Sequence, residues 1–340
     1  MVAMLCGLAC AAVGKEFQTA ANPLSSPATK QVLAYLQTLA ARSDHKLVSG
    51  QFTEFGTNVG RWQLDKIEAK TGSRPALFGA DYSDWHTGEI RCEQANTAAI
   101  AHWRQGGLVT LNVHFFNPLR TNTSLSGLRD KGVDVAPLLD EHSPQHAVWL
   151  REMDAIADGL AQLQQAGVVV LWRPFHEMNG HWFWWGGQKT NVFIPLWRQM
   201  YDHFTHDRKL NNLLWVYSPN QGGLAGAYYP GDHYVDVVGL DAYTDNVDPK
   251  NIAGYEPLQA LPKPFAFTEF GPHGPTHPPG NYKYPRFLAG LKQHFPDTVY
   301  FMAWSANWGM HTNQNVAAML HDPWVVNLDG LPPFGRRGQK

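Results

Sequence analysis

Apolar positions along the chain gather into eight short, nearly continuous runs separated by helical or turn-like stretches. The runs lie at residues 47–51, 76–81, 108–114, 168–175, 213–218, 235–241, 265–269 and 298–304. Several are apolar at every position rather than at alternate ones, the pattern of parallel strands covered on both faces. Between runs, Trp149, Met153, Ile156, Leu160 and Leu163 recur at helical spacing, and Gly167 stands where that helix should stop. Residues 94–105 read as a helix closed by Gly106 and Gly107, and Pro195 reads as opening another ahead of Leu196. Eight strand–helix units, with no internal repeat, predict a single-domain α/β protein, a (β/α)8 TIM barrel. A doubly wound open sheet is the alternative, but neither GxGxxG nor GxxxxGK(S/T) follows the first strand.

Composition narrows the picture. A chain of 340 residues, 44% hydrophobic and 16% charged, can bury one large core. A net charge of -2 leaves no basic footprint for nucleic acid and no acidic tail. With 13 Trp, 12 Tyr and 17 Phe, the chain has aromatic rings to spare for stacking on the apolar faces of sugars, although a large core also uses them. Cys6, Cys10 and Cys92 build no disulfide framework, zinc site or CxxC pair. Residues 1–14 are apolar and small, and Ala12-Val13-Gly14 before Lys15 resembles a signal-peptidase site, though a basic n-region is missing. That start is too short to span a bilayer. It predicts export to the periplasm or medium, with lipid anchoring left open. A linker is expected at 15–29, where Pro, Ser and Asn collect, and the folded domain at 30–340. No later stretch reads as a membrane span, and a monomer is expected.

In a barrel, polar residues at the C-terminal ends of strands read as functional. Here they are Gln51, Asp81, His114, Arg173, His176, Glu177, Asn220, Asp241, Tyr243, Glu269 and Trp304. Two stand out. Glu177 and Glu269, 92 positions apart, each close an apolar run and each precede an aromatic, glycine-bearing turn. Hydrolysis of a glycosidic bond requires two such acids, one protonated and one ionised. The other residues have plain structural readings as well. His114 or Asn220 can satisfy a neighbouring backbone group, Asp241 can cap a helix, and Arg173 within its strand needs a buried carboxylate partner. His176-Glu177 is not a zinc-protease motif, because the next histidine gives HExxxH and Pro174 and Gly180 interrupt any helix. A serine hydrolase would need a GxSxG elbow, which is absent.

The segments RPFHEMNGHWFWWG (173–186), FTEFG (267–271), VGLDAY (238–243) and HFFNP (114–118) resemble glycoside hydrolase family 26, best known for β-mannanases. The likeness runs from about residue 47 to residue 308. It implies a barrel with Glu177 as general acid/base at the end of strand four and Glu269 as nucleophile at the end of strand seven. It further implies that His114, His176, Trp182, Asp241, Tyr243 and Trp304 bind substrate, with Tyr243 aiming the nucleophile. Arg173 would support the nucleophile's charge. The expected partner is β-mannan or its oligosaccharides, cleaved with retention and without cofactor or metal. Family alternatives are mixed-linkage β-glucanase and β-1,3-xylanase. A carbohydrate-binding barrel without turnover and a metal-dependent hydrolase are the readings from other classes.

Overall fold

Each of the eight apolar runs supplies one strand of a closed parallel barrel: β1 (Gly50–Phe55), β2 (Leu77–Asp81), β3 (Leu108–Asn112), β4 (Val170–Arg173), β5 (Leu213–Tyr217), β6 (Val237–Tyr243), β7 (Phe265–Gly271) and β8 (Thr298–Ala303). Neighbours pair in chain order, and β8 closes the ring by pairing with both β7 and β1. The computed structural model describes residues 16–120, 125–273 and 278–335. The leader expected at 1–14 lies outside the described residues.

Around the barrel run α1 (Pro27–Ala41), α2 (Trp62–Thr71), α3 (Glu93–Arg104), α4 (Pro144–Gln165), α5 (Thr190–Asp202), α6 (Tyr255–Gln259), α7 (Pro285–His294) and α8 (Val316–Leu320). The helical stripe expected on α4 is its buried face: Trp149, Met153, Ile156, Leu160 and Leu163. Gly167 takes the left-handed conformation expected at its stop. Three expectations need correction. First, Pro195 does not open α5 but lies inside it. The hydrogen bond it forfeits would have gone to Asn191, in the exposed first turn, where solvent can serve the carbonyl. Second, the connection from β5 to β6 contains no α-helix among the described residues, only a 3-10 turn at Asp232–Tyr234.

Third, the segment read as a linker is a strap packed on the barrel. Asn22 is buried and donates to the Leu210 carbonyl, the Ala21 amide donates to Asp236, and the Ser26 amide donates to the Asn211 carbonyl. Tyr201 on α5 donates to the Ala21 carbonyl. The strap ends three residues before position 29, where Ser26 caps α1 through the Thr29 amide and Pro27 occupies the first turn.

Register brings the chemistry together at one end. Asp81, Asn112 and Arg173 are level across β2, β3 and β4, and Asp241 is level with Glu269 across β6 and β7. Between Phe267 and Glu269, β7 carries one residue more than β6, a bulge. Regular alternation would put Thr268 and Glu269 on opposite faces. Instead Phe267 and Phe270 pack outward on Phe287 of α7, while Thr268 and Glu269 both reach into the barrel, toward Asp241 and Arg173.

Candidate active site

Glu177 sits on a strained turn directly after β4. Phe175 and Glu177 both have positive φ, 49° and 57°. Such backbone costs about 1–3 kcal/mol per residue and persists only where surroundings enforce it. The enforcement is visible on either side. The Phe175 ring is fully buried among Phe115, Trp149, Trp185 and Phe193, and burying a Phe contributes about 1.5–3 kcal/mol. The Glu177 amide donates to the Ser218 carbonyl at 2.7 Å. Beyond the turn, the Trp182 indole N–H donates to Glu177 Oε2 at 2.5 Å. Gly180 makes room for that ring, since a Cβ there would lie 2.4 Å from two of its carbons.

Opposite stands Glu269, held by two donors. Arg173 Nη2 donates to Oε1 at 2.5 Å and the Tyr243 hydroxyl to Oε2 at 2.6 Å. Accepting on both oxygens is what an ionised carboxylate offers. The buried carboxylate partner that Arg173 required is thus found twice, because its Nη1 also donates to Asp241 at 2.9 Å. Removing the guanidinium would strand two buried acids, a loss of about 3–5 kcal/mol. Asp241, expected among the substrate-binding residues, is not part of the cleft lining. It is fully buried beneath Glu269, its oxygens taken by Ser218, Thr268 and Arg173, so it braces the arginine instead.

The electrostatics separate the two glutamates. Glu177 keeps partial solvent access through the cleft, yet atoms crowd its carboxyl. Burial first, then the charges of Glu269 and Asp241, push it well above the usual carboxylate range. Burial and Glu269 also push Asp241 up to about 7, against the pull of Arg173. Tyr243 is raised well above its ordinary value by burial and by both glutamates, so it stays a phenol able to donate. His176 is driven well below its ordinary value by burial, His114 and Arg173, which keeps it neutral. One oxygen each from Glu177, Asp241 and Glu269 falls within 4.8 Å of the others. A cation could bridge that spacing, but Asp241 and Glu269 already share a guanidinium.

Glu177 and Glu269 line a cleft of about 440 Å³ with His114, His176, Trp182, Tyr243 and Trp304, all expected. Trp304 stacks on Phe52 with ring centroids 4.0 Å apart, which makes it a firm surface. Trp85, Arg129, Phe183, Gln221 and Trp308 also line the cleft and were not anticipated; Asn220 was noted only as a strand-end residue. Most of the unanticipated residues lie on loops, where no periodicity marks an inward side chain. Trp308 alone carried a signal, as a second tryptophan four residues beyond Trp304. Gln51, by contrast, is structural: its amide donates to the carbonyls of Phe52 and Trp304 and accepts from the Met310 amide.

A parallel barrel that sets two carboxyls face to face in an aromatic cleft is the working arrangement of a glycosidase. The family model for glycosyl hydrolase family 26 matches residues 21–330, and the chain belongs to that family. It is 39% identical over 324 residues to mannan endo-1,4-beta-mannosidase A and B of Caldalkalibacillus mannanilyticus, covering 90% of this chain and 62% of that one. With the mannan endo-1,4-beta-mannosidase of Bacillus subtilis it shares 36% identity over 90% of this chain and 87% of the relative. A solved structure of a Bacillus subtilis mannanase superposes with a TM-score of 0.85 at 33% identity, covering 92% of this chain and 96% of that one.

Proposed function

We propose that the protein hydrolyses β-1,4-mannosidic bonds within mannan chains, with net retention by double displacement. The observation that carries the mechanism is the short separation of the two glutamates, whose nearest oxygens lie within 4.8 Å. Retaining pairs stand roughly 5–5.5 Å apart, whereas inversion needs roughly 6.5–9.5 Å to admit a water. Glu177, raised by its surroundings, is the acid that protonates the glycosidic oxygen. Glu269, aimed by Arg173 and Tyr243, attacks the anomeric carbon. Its covalent glycosyl ester is then opened by water that Glu177 deprotonates. Trp304 forms the floor of the sugar site, Trp182 lies on the leaving-group side, and His114 and His176 complete its wall.

Support for mannan, and for cleavage inside the chain, comes from the relatives, which are named for that activity. A polymer too large to cross a membrane also suits the export expected from the sequence. Among the described residues no helix is long and apolar enough to span a membrane. The test is a parallel digestion of mannan, glucomannan, mixed-linkage glucan and 1,3-xylan with product sizes followed over time. Long oligosaccharides from mannan and glucomannan at early times are expected. Preference for glucan or xylan, or disaccharide alone from the outset, would overturn the assignment.

A further inference from the structure

The strained turn that carries Glu177 has a third anchor, and it starts two strands away. Asp81 at the end of β2 is fully buried, and all of its partners are donors. Asn112 Nδ2 donates to Oδ2 at 2.7 Å, the Ser83 amide to Oδ1 at 2.6 Å, and His114 Nδ1 to Oδ2 at 2.7 Å. Ser83 also holds the histidine's backbone, accepting from the His114 amide at 2.7 Å and donating to the His114 carbonyl at 2.9 Å. A carboxylate can only accept, so the proton of His114 is on Nδ1. His114 Nε2 then meets His176 Nε2 at 3.2 Å.

Only one assignment of that contact avoids a stranded donor. His176 Nδ1 is buried without a partner among the described residues. A proton there would be an orphaned buried N–H, which folded proteins rarely tolerate, whereas a bare acceptor is less costly. The His176 proton is therefore on Nε2 and is donated to His114. His176 lies between the two left-handed residues Phe175 and Glu177, so fixing its ring fixes the middle of the strained turn.

We propose that Asp81 is a positioning residue: the buried strut Asp81–His114–His176 holds the turn in the geometry that aims the Glu177 acid at the leaving oxygen. Asp81 touches no substrate, and it acts through two histidines on the backbone that carries the acid. The inference rests on Glu177 being that acid.

Asp81→Asn keeps the side chain's size but replaces one accepting oxygen with an N–H₂ among groups that all donate, so the strut loses its firm anchor. Acid assistance is worth about 10²–10⁴-fold, so misaiming the acid should lower kcat/KM on mannan by about 10²-fold. On a mannobioside with a dinitrophenolate leaving group, which departs without a proton, kcat/KM should fall far less, by only what a loosened His114 and His176 wall costs in binding. Equal losses on both substrates would overturn the strut, because damage to the fold or the nucleophile spares neither. Glu177→Ala is measured alongside. If it also fails to spare the activated substrate, the acid assignment falls rather than the strut. Should Asp81→Asn not fold, ¹⁵N NMR of the wild-type imidazoles decides. A neutral His176 protonated on Nε2 is expected, and an imidazolium or an Nδ1–H form would overturn the proposal.

Discussion

Glu177 and Glu269 carry the same functional group, and their different neighbours assign their tasks. Glu269 accepts from a guanidinium and a phenol; Glu177 faces crowding and negative charge. Glu269→Ala should therefore be inactive on every substrate. Glu177→Ala should keep its kcat/KM on activated aryl glycosides, and azide should raise its kcat by replacing the base-activated water. Steady-state kinetics on both substrate types checks the pair. The acid must be protonated to work, and its range is raised, so activity on mannan should fall as pH climbs through the Glu177 value. That alkaline limb should vanish in Glu177→Ala. Both glutamates and Arg173 could be read from the sequence because each closes or interrupts an apolar run. Asp241 could not be placed, because nothing in VGLDAY distinguishes a carboxylate facing the cleft from one lying beneath it.

At the level of elements, two local departures from regularity build the site. The bulge in β7 turns Thr268 and Glu269 to the same face. The left-handed residues after β4 turn Glu177 toward them. Neither is legible in FTEFG or RPFHE, since simple alternation is the natural reading of a strand and positive φ is not expected of Phe or Glu. The start of α5 is hidden for a related reason: Lys189 precedes it without a capping side chain, while Pro195 imitates an opening. The glycine of the Glu177 turn makes a testable case. In Gly180→Ala the new Cβ must displace Trp182, and with it the indole donor to Glu177. A hydrogen bond of this kind contributes about 0.5–1.5 kcal/mol, so kcat/KM should fall by about 2- to 10-fold. Thermal melting should show little change, because Trp182 is 36% exposed and the turn's main anchors remain.

The whole molecule divides its labour between two ends of one barrel. The two glutamates and their cleft lie at the C-terminal ends of the strands, while the strap at residues 16–26 closes contacts just ahead of β5 and β6, at the opposite end. Stability and turnover should separate along that axis. Asn22→Ala leaves the Leu210 carbonyl buried without its donor, which should cost about 1–3 kcal/mol in stability, read from denaturant unfolding, with kcat unchanged. The eight-strand architecture was visible because continuous apolar runs alternating with helical stretches are what strands buried on both faces require. The strap was not, because Pro, Ser and Asn describe a packed irregular segment and a free linker equally well. Only Ser26-Pro27, a cap followed by a first-turn proline, marked where it ends.

Whether the two acids cooperate across a single sugar is decided by the configuration of the first product. Proton NMR during hydrolysis of a manno-oligosaccharide, recorded before mutarotation, should show the newly released reducing end as the β anomer. An α anomer appearing first would mean direct attack by water and would contradict the account.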